Sequence, residues 1–202
     1  MAVPSVLQAL QRGGNASAAG DEVCAGLGVH RHQRRAAQQT AHFHHVAHGF
    51  AFHGDDADSG GLAGRFMRQN GNLVQWVNGY PSEPLLRQDI INGDLYVMED
   101  EGGVYCVFAL VMGDDPTYAE IEGAWQDTAT PYGTIHRIGS DGTHRGVLHK
   151  CMEWAARRIS HLRVDTHADN HVMQRCILRE GFSYCGVIHV ADGTPRRAYE
   201  RV

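Results

Sequence analysis

The stretch of the chain richest in usable chemistry is Ser140-Asp141-Gly142-Thr143-His144-Arg145-Gly146. It supplies glycines for close backbone approach, a hydroxyl in Thr143 and a cation in Arg145, between a β-rich run and a helical one. A strand, a loop of small residues and a helix N-terminus in that order gather unpaired backbone N–H groups where the helix dipole favours negative charge, a place suited to a diphosphate. Asp141 opposes an anion there, and ordinary strand-to-helix loops also hold Gly and Thr, so the loop alone reads equally well as a plain connection. A second group, His42, His44, His45, His48 and His53 with Asp55, Asp56 and Asp58, is the richest in metal-capable side chains. A structural zinc site needs a full ligand set on an ordered frame, and this region shows no pattern that would build one, so no metal is expected.

The elements that must position the loop are legible from Gly64 onward. Pro84 to Ile91 carries Leu85, Leu86 and Ile90 at helical spacing, entered after Pro81-Ser82 and closed at Asn92-Gly93. Leu95 to Met98 and Val104 to Met112 are β-rich runs around an acidic turn ending in two glycines, a hairpin whose second strand is buried on both faces. Asp114-Asp115-Pro116 breaks the chain, Tyr118 to Trp125 reads as a short irregular or extended piece, and Tyr132 to Ile138 is a further strand. After the loop, Val147, Leu148, Cys151, Met152, Ala155 and Ile159 form one stripe of a helix. Leu162 to Thr166 alternates as a strand, and a helix near His171 to Glu180 stops at Gly181. Tyr184 to Val190 and Arg197 to Val202 flank Asp192-Gly193 as a closing hairpin. Trp76, Trp125 and Trp154 read as anchoring aromatics.

Composition bounds the rest. A chain of 202 residues, 43% apolar and 20% charged, fits one ordinary domain with an appendage and excludes wholesale disorder. With 18 basic against 23 acidic residues the net charge of -5 repels phosphate backbones, so no nucleic acid is expected as a partner. The longest apolar run, Val104 to Met112, is far shorter than the roughly 20 residues of a spanning helix, so no membrane is expected either. Met1 to Leu10 puts no Lys or Arg ahead of its weak apolar stretch, which disfavours secretion. The 5 cysteines are scattered and never spaced Cys-x-x-Cys, which argues against a disulfide framework and for a cytoplasmic location. Residues 1–63 are rich in Ala, Gly, Gln and His and read as a weakly structured, low-complexity segment ahead of a domain over 64–202.

The order of pieces from Phe66 to Val202 (hairpin, two strand–helix units, closing hairpin) resembles the GNAT superfamily of acetyl-CoA-dependent N-acetyltransferases. The family's pyrophosphate pattern, Gln or Arg, two residues, Gly, one residue, Gly or Ala, falls on Thr143, Gly146 and Leu148, with Gly146 the match. Ile138, five positions upstream, takes the family's aliphatic position, Asn170 follows Leu162 to Thr166 as the family places it, and Arg179-Glu180-Gly181-Phe182 matches the end of the next helix. Thr143 and Leu148 should leave the cradle less cationic and tighter than usual, and Ile177 stands where many members carry a Tyr. The resemblance implies an α/β (α+β) fold: a mixed, mostly antiparallel sheet of about six or seven strands flanked by helices and splayed between strands 4 and 5. Members begin with a strand and a helix ahead of the segment that matches Phe66. Residues 1–63 lack that apolar pattern, so the first strand is expected to be missing and the segment to be unrelated peptide.

The function so implied is transfer of an acetyl group from acetyl-CoA directly to an amine of a small molecule or peptide. The alternative is a catalytically inactive domain that binds acyl-CoA or a protein partner. Backbone groups of Ile138 and Gly139 would face the developing oxyanion. Thr143, His144, Arg145, Gly146 and Val147 would cradle the diphosphate, and Asn170 would meet the pantetheine arm. A base near neutral pKa suits amine attack, and His136, mid-strand beside the splay, is the first candidate; a His held in the sheet core is its other reading. Glu122 is the second candidate, by analogy with acidic bases in some relatives, or else a solvated carboxylate. With no Tyr at 177, Tyr184 or water would protonate the leaving thiolate, Tyr184 reading equally well as a sheet-packing aromatic. Asp114, Asp115, Glu120, Glu122 and Asp127 could draw a cationic amine or simply line a solvated loop. A homodimer is compatible with the sequence, which does not specify one.

Overall fold

The computed structural model describes residues 80–202, together with 68–73, 75–76 and the backbone of 42–45. Helix α1 (Glu83–Asn92) starts where Ser82 accepts from the Leu85 amide and Pro84 occupies the first turn, and it ends at Gly93 with φ 77°. That left-handed residue is one a Cβ would disfavour. Then come β2 (Leu95–Asp100) and β3 (Gly103–Met112), a 3-10 turn at Pro116–Tyr118, and the two-residue β4 (Glu122–Gly123). The chain continues through β5 (Gly133–Ser140), α2 (Val147–Ala156), β6 (Leu162–Thr166), α3 (His171–Arg179), β7 (Ser183–His189) and β8 (Pro195–Arg201).

Ahead of all these lies β1 (His42–His45), antiparallel to β2 with Phe43 opposite Met98 and His44 opposite Val97. The first strand expected to be missing is therefore present, inside the segment read as unrelated peptide. Its apolar signal is a single Phe among histidines, too short for periodicity to register. The other residues of 1–63 lie outside the described ones, as does most of the histidine-rich cluster.

The sheet runs β1-β2-β3-β5-β6-β8-β7-β4, eight strands of which β4 is a two-residue edge piece. Setting β4 aside leaves seven, all antiparallel to their neighbours except the parallel pair β5 and β6, which are the fourth and fifth in chain order. Strand alternation sends Leu95, Val97, Val107 and Ala109 to one face, where Leu86 and Ile90 of α1 cover them. Met98, Cys106, Phe108, Leu110, Ile135 and Val164 go to the other face, under α2 and α3. Beyond α1, the first face is covered by the loop before β5, which seats Tyr118 and Tyr132 on Ile188 and Ala198.

A buried ion network fastens that loop. Glu200 of β8 is wholly buried and accepts from His161 Nε2 at 2.7 Å, from Arg163 Nε at 2.9 Å and from the Gln126 amide. Burial pushes its carboxyl up, but the His161 and Arg163 hydrogen bonds outweigh this and leave it lowered. The Arg163 guanidinium lies 4.0 Å from the Trp125 ring centroid and 3.8 Å from that of Tyr132, and donates to the Asp127 carbonyl at 2.8 Å.

Candidate active site

β5 pairs with β6 only through Gly133↔Leu162, Thr134↔Arg163 and Ile135↔Val164; from His136 onward the two strands part. On its other side β5 stays paired with β3, but Ala109 faces His136 while Val107 faces Gly139. Two steps on β3 thus match three on β5, and the extra residue is a bulge at the mouth of the gap. Within it Arg137 takes φ 52°. Its guanidinium reaches Asp89 of α1 through Nε at 2.7 Å and NH2 at 2.8 Å. The sequence-derived positions Ile138 and Gly139 sit here, Ile138 against the main core and Gly139 buried opposite Val107.

Past Ser140 the loop folds on itself. The Asp141 carboxylate accepts from the Thr143 amide at 2.9 Å and from the Thr143 hydroxyl at 2.6 Å. The same hydroxyl lies 2.7 Å from His144 Nδ1, while His144 Nε2 meets Asp100 at 2.9 Å. The His144 ring stacks on Tyr105 with centroids 3.8 Å apart. Thr143 and His144 therefore brace the loop with their polar groups, and Arg145 is exposed. Gly146, at φ 66°, is the N-cap of α2, and no side chain caps the helix. A glycine brings no side-chain acceptor, so among the described residues no cap is given to the orphan amides that begin at Val147. Among the described residues, an added Cβ would meet nothing within 4 Å at either Gly142 or Gly146.

His136 lies on the α1 face beside the gap, its side chain 15% exposed. Its Nε2 is 2.7 Å from Asp115 Oδ2, and its Nδ1 is 3.8 Å from Asp165 Oδ1 on β6. Burial works against the Asp115 anion, yet the His136 hydrogen bond and charge, with the Thr117 amide, hold its pKa at about 2. A carboxylate that acidic can only accept near neutral pH, so Nε2 is the nitrogen that donates to it and Nδ1 is the one turned towards Asp165. Tyr118 donates its hydroxyl to Asp165 at 2.6 Å; burial, then the Asp165 charge, push that phenol well above its ordinary pKa and keep it a donor. Arg196 stands 3.9 Å from the other Asp165 oxygen.

The remaining sequence candidates are placed elsewhere. Glu122 is 73% exposed on the edge strand β4, with β6, β8 and β7 between it and β5, and its partner is His189 at 3.7 Å. Tyr184 is 51% exposed on β7, edge-on to Tyr199. Asn170 caps α3 by accepting from the Met173 amide at 3.1 Å and gives its Nδ2 hydrogen to Gln75 at 3.3 Å. Of the acidic residues before β5, Asp115 serves His136, and Asp127 closes its own turn on the Ala129 and Thr130 amides. Sequence reasoning missed Tyr118, Asp165 and the Arg137–Asp89 pair as parts of this site. The one available signal was the alternation of β6, which puts Arg163 and Asp165 on the face opposite Leu162 and Val164.

A mostly antiparallel sheet in which, among the described residues, the parallel pair β5–β6 opens beside the N-terminus of α2 is the fold of GNAT-family acetyltransferases. The chain has that fold and is similar to GNAT-family acetyltransferases of known structure. An acetyltransferase of the GNAT family from Streptococcus agalactiae 2603 is 29% identical with a TM-score of 0.59, over 67% of this chain and 81% of that one. One from Listeria monocytogenes 4b F2365 is 19% identical with a TM-score of 0.50, over 68% of this chain and 81% of that one, and shows the fold alone. No protein-family model matches the sequence. No curated protein matches it. Among the described residues, no helix is long and apolar enough to cross a membrane.

Proposed function

We propose that the chain is an acyltransferase that moves an acetyl group from acetyl-CoA directly to the amine of a small molecule or peptide. The observation that carries this reading is the opening of β5 from β6 after Ile135↔Val164, in line with the uncapped first turn of α2. The residues present fit the carrier. The diphosphate would lie on the amides that begin at Val147, reached past Gly142 and Gly146, with Arg145 at the rim. The arm would enter between the parted strands towards Asn170. When bound, acetyl-CoA supplies an activated acyl group on a good leaving thiolate.

The chain's own groups divide the remaining work. Bulged backbone at Ile138 and Gly139 is fixed before substrate arrives, so an N–H aimed at the carbonyl oxygen costs little reorganisation. Asp115 holds His136 by Nε2, leaving Nδ1 to take the proton of the attacking amine. Glu122, at the far edge of the sheet, and Tyr184, exposed on β7, take no part, and solvent returns a proton to the thiolate. Cytoplasmic location belongs to the same reading. The test is release of free thiol from acetyl-CoA against a panel of amines spanning polyamines, aminoglycosides and neutral amino acids. Amine-dependent release supports the reading, and none with any member contradicts it.

A further inference from the structure

We propose that Asp89 and Arg137 are positioning residues for the carrier cleft, their buried pair holding β5 in the bulged form at which it leaves β6. The inference rests on the acetyl-CoA reading above and adds a control point on a helix outside the loop that grips the diphosphate.

Arg137 takes φ 52° in the middle of a strand, where glycine would be the natural choice. A left-handed conformation costs a residue with a Cβ about 1–2 kcal/mol, so its presence needs a compensating interaction. The compensation is a fork-to-fork pair with both Asp89 oxygens, the two side chains being 10% and 7% exposed. Asp89 itself cannot drift, because Leu86 and Ile90 on the same face of α1 are seated in the cluster over β2 and β3. Burial pushes the Asp89 carboxyl up against the pull of Arg137, so loss of the guanidinium would leave it to take up a proton. The bulge separates His136 from Ile138 and Gly139. The pair therefore sets the direction of the strand that carries the candidate base on one side and the cleft amides on the other. If α1 fixes the bulge that receives the carrier, carrier binding must in turn restrain α1, since coupling is reciprocal.

The test titrates coenzyme A into the full chain by calorimetry. Asp89→Asn and Arg137→Lys keep size but lose the charged fork, and each is expected to raise the Kd about tenfold. Ile188→Ala, buried in the separate cluster on β7, should lower the melting temperature comparably and leave the Kd within about twofold. If the wild type binds and the two pair variants bind as tightly, or if Ile188→Ala weakens binding as much as they do, the proposal is overturned while the acetyl-CoA reading stands. A wild type that does not bind overturns that reading and the proposal with it. Should the variants not fold, hydrogen exchange on the wild type decides. Coenzyme A should slow exchange in α1 as well as at 137–139, and unchanged exchange in α1 overturns the proposal.

Discussion

At His136 the two ring nitrogens meet unlike surroundings, and the proposed chemistry depends on that difference. Asp115 at 2.7 Å fixes Nε2 as the hydrogen-bearing nitrogen, and Nδ1 points towards Asp165 across 3.8 Å. Replacing His136 with Gln should lower kcat about 10²–10⁴-fold in steady-state assays, while the Kd for coenzyme A stays within about twofold. Glu122→Gln should leave both unchanged. Asp115 also makes a pH prediction. A carboxyl whose pKa falls on folding lends stability above its unfolded value near 4, and loses it as the pH drops through its folded value of about 2. Urea denaturation should therefore show a loss of about 2 kcal/mol between pH about 5 and pH about 2 that Asp115→Asn lacks. Asp115 was legible only as one of several acids near the site and not as the partner of His136, and Tyr118 was not legible as a site residue. Asp115 pairs with a residue 21 positions away and Tyr118 with one 47 away, and local pattern carries no information about such distances.

Among the elements, legibility tracks how local the signal is. Leu162–Thr166 is a strand with the expected bounds, and α1, α2 and α3 begin within a residue of expectation, because apolar spacing, Ser82, Gly93 and Gly181 act within a turn of where they stand. The short strand β1 escaped because HFHH holds one apolar residue, whereas β4, Glu122–Gly123, falls inside the Tyr118–Trp125 stretch that reads as irregular or extended. The bulge at Arg137 also escaped, since an Arg at positive φ exists only through Asp89, 48 residues earlier. Asn170 was read as facing the pantetheine arm, and it is also the cap of α3. Asn170→Ala should cost about 1 kcal/mol of stability in chemical denaturation, while Asn170→Asp, which keeps the acceptor, should cost little.

For the whole molecule, the sheet is a single surface with the cleft at its centre, and the segment before β5 is tied to the far side of that cleft by Glu200. Because Glu200 is wholly buried with His161 and Arg163 around it, Glu200→Ala leaves the buried Arg163 guanidinium and the His161 ring without their acceptor. It should destabilise the fold by about 3–5 kcal/mol, read as a shift in the denaturation midpoint. The central claim is that a diphosphate-bearing carrier rests on the first turn of α2 and enters between β5 and β6. Its most direct test follows the backbone amide resonances of the full chain while coenzyme A is added. The account predicts saturable shifts at Ile138, Gly139 and residues 146–149, with β7 and β4 undisturbed. An unchanged spectrum, or shifts confined to the β7–β4 edge, would contradict it.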